Sequence, residues 1–230
     1  MHKHLLNPRR ALALLALAIT PSATGAQAVQ EAPTDDPFAP AGVGTGAYQE
    51  MTALLEVTVF HIDVLTLTVR VTPISARRLQ ALALEGGYRE SLADSVAAVV
   101  LESEDLWARQ VLERDVGLGR LLDGMRESSE GAADAGFISR EYQQAFSDSL
   151  PHWFAFLEED GAKEGDEIVF WVRGDTVRTL YRTADGRVLM DQSGTSADGR
   201  KGSVPSFFAP GSRFRRPLVE SLLQVPRPSE

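Results

Sequence analysis

The order of residues predicts an α+β fold built around one core, and three observations carry that expectation. Residues 55–71 alternate β-branched or apolar side chains with Thr, His, Asp and Arg, the pattern of a strand. The middle of the chain, from Leu92 to Leu157, places apolar residues at helical spacing. The last third, 165–223, holds three short apolar runs at 168–172, 177–181 and 188–190. These are separated by Arg173-Gly174-Asp175 and Ala184-Asp185-Gly186, the turn chemistry of an antiparallel meander.

The first 28 residues combine Lys3, Arg9 and Arg10, an apolar run from Ala11 to Ile19, a Pro21 break and Ala26-Gln27-Ala28. That is the layout of a secretory signal peptide, so the expected address is periplasmic or secreted, with cleavage near Ala28. The pair Arg9-Arg10 hints at a twin-arginine route, although Ala11-Leu12-Ala13 matches that route poorly. Residues 29–48, rich in Pro, Gly, Ala and Asp, read as a flexible spacer. The folded domain is expected over 49–225, with 226–230 as a tail.

Within that domain, residues 55–71 form one long strand, a bent strand or a hairpin. Leu65, Leu67 and Val69 share one face, and Ile62 and Val64 the other. Ser91-Leu92-Ala93-Asp94 reads as a capping box ahead of a helix carrying Val96, Val99 and Val100. Residues 106–116 fit helix or strand about equally, and a strand over 108–116 is favoured. A helix over 117–129 turns Leu118, Leu121, Leu122 and Met125 inward. Ser139 caps a helix with Tyr142, Ala145, Phe146 and Leu150 on one face, and Pro151 restarts a second turn system. A Ser/Gly/Asp-rich loop follows Met190, and the chain closes with a helix after Pro210-Gly211.

Composition narrows the function. The chain holds 23 basic and 32 acidic residues, net −9. Three of those bases and none of the acids fall in 1–28, leaving net −12 beyond it. Such a surface repels phosphate backbones and anionic lipid, and no basic stripe with interleaved aromatics is present. No nucleic acid partner is expected, and no stretch reaches the roughly 20 apolar residues of a membrane span. Cysteine is absent, which removes disulfides, thiol catalysis and thiolate metal sites. Arg213, Arg215 and Arg216 form the one dense basic cluster, read as a solvated face.

Motifs for chemistry are sparse. Histidines His61 and His152 lack metal-ligand spacing, no GxSxG surrounds a serine, and Gly117-Leu118-Gly119 lacks the rest of a dinucleotide fingerprint. No metal and no cofactor is expected. His61 is a strand residue or a polar group in a cavity wall, where it could act as acid or base. Glu158-Glu159-Asp160 and Glu164-Gly165-Asp166 look like solvated helix ends and turns.

Several stretches resemble the chalcone isomerase family, in particular its exported bacterial relatives: 165–170 entering the meander, 186–188, 207–212 before the last helix, and 217–223 within it. Upstream, 59–64 and 112–116 are similar to the family's early strand and to its strand before the mid-chain helix. The resemblance implies an open-faced β-sandwich, a large antiparallel sheet with a layer of helices and a ligand cleft between them. Plant enzymes of the family cyclise chalcones with an arginine, a threonine, a tyrosine and an asparagine. Those positions fall here near Met51, Asp63, Arg120 and Glu127, and none is kept. A carboxylate at Asp63 would oppose a phenolate.

The resemblance therefore implies a non-catalytic protein that binds a small apolar or amphipathic, fatty-acid-like molecule. Arg70 and Arg120 are the candidates for holding a polar head at the cleft mouth. An isomerase or intramolecular lyase using His61, Asp63 and Arg114 in the same cleft is the alternative, as is a structural or assembly partner in the envelope.

Overall fold

The computed structural model describes residues 49–57, 62–84 and 86–224. Six strands form one antiparallel sheet in which spatial order equals chain order: β1 (Gln49–Val57), β2 (Ile62–Val71), β3 (Asp105–Leu112), β4 (Glu167–Arg173), β5 (Thr176–Arg182) and β6 (Val188–Thr195). Residues 55–71 thus contribute to a hairpin, β1 against β2, and the three runs of the last third form the expected meander. The turns between those runs use Gly174 and Gly186 at positive φ, 53° and 89°, conformations that glycine adopts without steric cost.

Six helices pack on one face of the sheet. They are α1 (Pro73–Ala83), α2 (Glu90–Glu102), α3 (Leu118–Asp134), α4 (Arg140–Trp153), α5 (Ala197–Gly202) and α6 (Arg215–Leu223). Two 3₁₀ segments, Ala155–Leu157 and Val204–Phe208, join that layer. The architecture is α+β, an open-faced sandwich of one antiparallel sheet and one helical layer.

Period-2 alternation sorts the strands into two faces. Leu67, Val69, Leu106, Ala108, Ile168 and Val172 point to the helices and are buried. They feed two apolar clusters. One joins β1 to β3 with α1, α2, α6 and Val204–Phe208; the other joins the ends of β3, β4 and β5 with α3, α4 and Ala155–Leu157.

Several local expectations are corrected. The N-cap of α2 lies two residues before the one expected at Ser91: Arg89 is the N-cap and makes no side-chain cap, while Asp94 instead meets Arg215. Strand β3 lies three residues earlier than 108–116, because its partner β2 ends at Val71 opposite Leu106. Pro151 sits inside α4, near its end. A proline there forfeits only the bond that its own N–H would have made, two residues before the helix stops. After Met190 the chain does not loop out. It continues β6 to Thr195, where Thr195 Oγ1 and Thr176 Oγ1 pair at 3.0 Å, and then forms α5. Helix α1, opened by Pro73 at its first turn, has no counterpart among the sequence expectations. Ser139 does cap α4, its Oγ accepting from the Tyr142 N–H at 3.2 Å.

Candidate functional site

Every charged residue of β3 to β6, together with Arg70 of β2, lies on the face away from the helices. There Arg70 stacks over Trp107, its Cζ 4.9 Å from the ring centroid, and Arg178 over Trp171 at 5.9 Å. Glu167 bridges Arg109 and Arg182, and Arg178 grips Asp191 with bonds of 2.8 and 2.7 Å. Trp107 and Val169 are nevertheless buried on this face, in a small cluster with Trp171 and no helix residue.

The helix-facing side is chemically the reverse. From Leu65 onward in β2, and throughout β3 to β6, it carries no charged side chain. Four polar ones interrupt it: Gln110 on β3, Thr179 and Tyr181 on β5, and Gln192 on β6. Register places Gln110 opposite Leu67 and Ile168, and Thr179 opposite Phe170 and Gln192. Gln110 is 8 % exposed, and Thr179 and Gln192 are half-buried. None of the three is among the buried polar atoms without a partner, so each keeps a path to water.

These groups lie along the seam between the two apolar clusters. Leu65 and Phe170 are half-buried and pack against both clusters. Phe170 meets Phe207 edge-on at 6.0 Å. On the helical side Met125, Phe146 and Trp153 are half-buried against the second cluster, and Phe146 stacks with Tyr142 at 6.5 Å. The Tyr142 hydroxyl makes no hydrogen bond among the described residues. Burial first, and the nearby charge of Asp198 second, push its pKa up, so it stays a neutral phenol.

Two other buried polar knots are structural. Asp166 accepts from the Tyr181 hydroxyl at 2.6 Å, the Lys163 N–H at 2.8 Å and the Ala184 N–H at 3.0 Å, pinning the entry of β4 to the β5–β6 turn. The reading of Glu164-Gly165-Asp166 as solvated is therefore corrected at Asp166, which is buried. Arg215 is also buried rather than solvated. It donates to Phe208 O at 2.8 Å and Asp94 Oδ1 at 2.5 Å, tying α6 to α2.

The residues singled out from the sequence do not gather at the seam. Arg70 is on the open face, Arg120 is exposed on α3, and Arg114 is exposed in the bend after β3. Asp63 pairs through its backbone with Glu56, and His61 lies outside the described residues. His152 is exposed on α4. A polar groove of about 530 Å³ on the outer side of α3 and α4, lined by Arg126, Glu130, Gln143 and Ser147 among others, is separate from the seam. No group of three or more His, Asp or Glu able to hold a metal occurs among the described residues. No described helix is long and apolar enough to cross a membrane.

Fold and seam together define an α+β protein whose helix-covered sheet face is largely apolar and, on the strands, carries neutral polar groups only. No family model matches the chain, and no curated protein matches it in sequence. A solved structure similar to it is that of a fatty-acid binding protein from Arabidopsis thaliana, at 12 % identity and a TM-score of 0.43, covering 76 % of this chain and 87 % of that one.

Proposed function

We propose that this chain is a non-catalytic chalcone isomerase-like protein that binds a small, largely apolar molecule in the seam between its sheet and its helices. The observation that carries the proposal is the sorting of charge across the sheet: from Leu65 onward the helix-covered face holds no charged strand side chain, and Gln110, 8 % exposed, is a neutral polar group set among apolar ones there. Half-buried Leu65, Phe170, Phe146 and Met125 supply apolar surface beside it, the usual composition of a small-molecule site. Family membership rests on the resembling stretches 165–170, 207–212 and 217–223. Export is part of the proposal and rests on residues 1–28.

The test is to purify the processed protein natively, extract it for mass spectrometry, and titrate the delipidated protein with an alkyl chain carrying a pyrene reporter. A co-purifying small molecule and saturable one-to-one binding are expected. An empty protein with no saturable uptake of the reporter overturns the proposal.

A further inference from the structure

We infer that the molecule held in the seam presents an uncharged hydrogen-bonding group, a hydroxyl, ester carbonyl or amide, and not a carboxylate. This inference rests on the binding function proposed above and names the chemical class that the site selects.

The argument starts from the sorting of charge across the sheet. The arginines able to neutralise an acid, Arg70, Arg109, Arg178 and Arg182, project from the open face, on the other side of the sheet from the seam. Two buried charged groups elsewhere, Arg215 and Asp166, are already committed. Arg215 is held by Asp94 and Phe208 O, and Asp166 by Tyr181, Lys163 N and Ala184 N. On α5, Arg200 is half-buried and donates to Ser103 O at 2.6 Å, and Lys201 is half-buried with the charge of Asp198 nearby. What the strands themselves turn toward the seam is neutral: the amides of Gln110 and Gln192 and the hydroxyls of Thr179 and Tyr181, the last already donated to Asp166.

Desolvation then decides the ligand. A carboxylate entering against the strands gives up its hydration and meets no cation on them, whereas a hydroxyl or carbonyl exchanges its water bonds for bonds of similar strength. Gln110 presents both a donor and an acceptor, so it can satisfy an alcohol completely. Thr179 and Gln192 stand directly opposite each other on β5 and β6, which spreads neutral partners over neighbouring strands. The rest of the molecule lies against Leu65 and Phe170.

The experiment uses the processed, delipidated full-length protein and three ligands of equal chain length: tetradecanol, methyl tetradecanoate and tetradecanoate. Competition against the pyrene reporter, at a pH where the acid is ionised, ranks them. Tetradecanol is expected to bind about tenfold tighter than tetradecanoate, or more. Gln110→Leu is expected to remove most of that preference, narrowing the gap between tetradecanol and tetradecanoate. Gln192→Lys, at a half-buried position, is expected to shift the preference toward the acid. Tetradecanoate binding as well as or better than the alcohol in the parent protein overturns the inference and leaves small-molecule binding standing. If none of the three competes and the reporter itself does not bind, the binding proposal fails and the inference with it.

Discussion

Replacing Arg215 with methionine tests how far one buried guanidinium holds the helical layer together. Arg215 is 4 % exposed and is the first residue of α6. Its Nη1 donates to Phe208 O at 2.8 Å, and its Nη2 to Asp94 Oδ1 at 2.5 Å and Glu90 O at 3.4 Å. Methionine keeps most of the apolar stem, so packing changes little and the cost falls on polar groups. Buried Phe208 O loses its donor, worth about 1–3 kcal/mol. The ion pair adds less than a fully buried one, because Asp94 is 67 % exposed, and about 0.5 kcal/mol is a fair share for it. Relief comes from Arg215 Nε, which is buried without a partner. The expected loss is about 2 kcal/mol, read as a lower urea midpoint with unchanged slope, by tryptophan fluorescence and far-ultraviolet circular dichroism. A loss below about 0.5 kcal/mol, within the range of an ordinary surface change, would refute the reasoning that Arg215 is structural glue.

Tyr181→Phe removes the 2.6 Å bond to Asp166 and is expected to cost about 1–2 kcal/mol by urea unfolding. Burial, then the bond to Asp166 and its charge, hold the Tyr181 pKa far above its ordinary value. This contribution is complete below the unfolded pKa of about 10 and shrinks as pH rises past it. The parent should lose stability above that pH, and Tyr181→Phe should lose less; parallel pH curves would sink the assignment. At Gly161, φ is +65° and a Cβ would sit 2.8 Å from Val116 O, whereas at Gly174, φ +53°, it would meet nothing within 4 Å. Both alanine variants pay about 1 kcal/mol for the left-handed backbone. Gly161→Ala should lose clearly more in thermal unfolding, and equal losses would show that the backbone yields.

The meander and the helices α3 and α4 were legible because their signals are local: glycine turns, a serine cap, and apolar residues at helical spacing. Residues 106–116 were ambiguous because Leu106 and Gln110 fit helix and strand alike; register against Val71 and Val172 settles the matter, and those partners are distant in sequence. The continuation of β6 through Gln192-Ser193-Gly194-Thr195 was hidden for the same reason, since polar residues of weak strand propensity are held by the ladder to β5. Arg215 looked like one of three solvated arginines. Only the approach of α2, about 120 residues earlier, gives it a buried partner. The seam was the least legible feature. A glutamine in a strand is unremarkable until both neighbouring strands and the helical layer show that it is enclosed.

The paired bonds between Val116 and Ala162, 2.8 and 2.9 Å, and those joining Leu112 to Gly165 and Asp166, 2.8 and 2.9 Å, stitch together the base of the long excursion that carries α3 and α4. Pairing β3 with β4 closes an excursion of about 54 residues, against two between β4 and β5, an entropic difference of about 3 kcal/mol. The bonds of the stitch lengthen the β3–β4 ladder into the base of that excursion and so help to offset the closure cost. Long-range pairing in the middle of the sheet is thus anchored by backbone bonds that reach beyond the strands themselves.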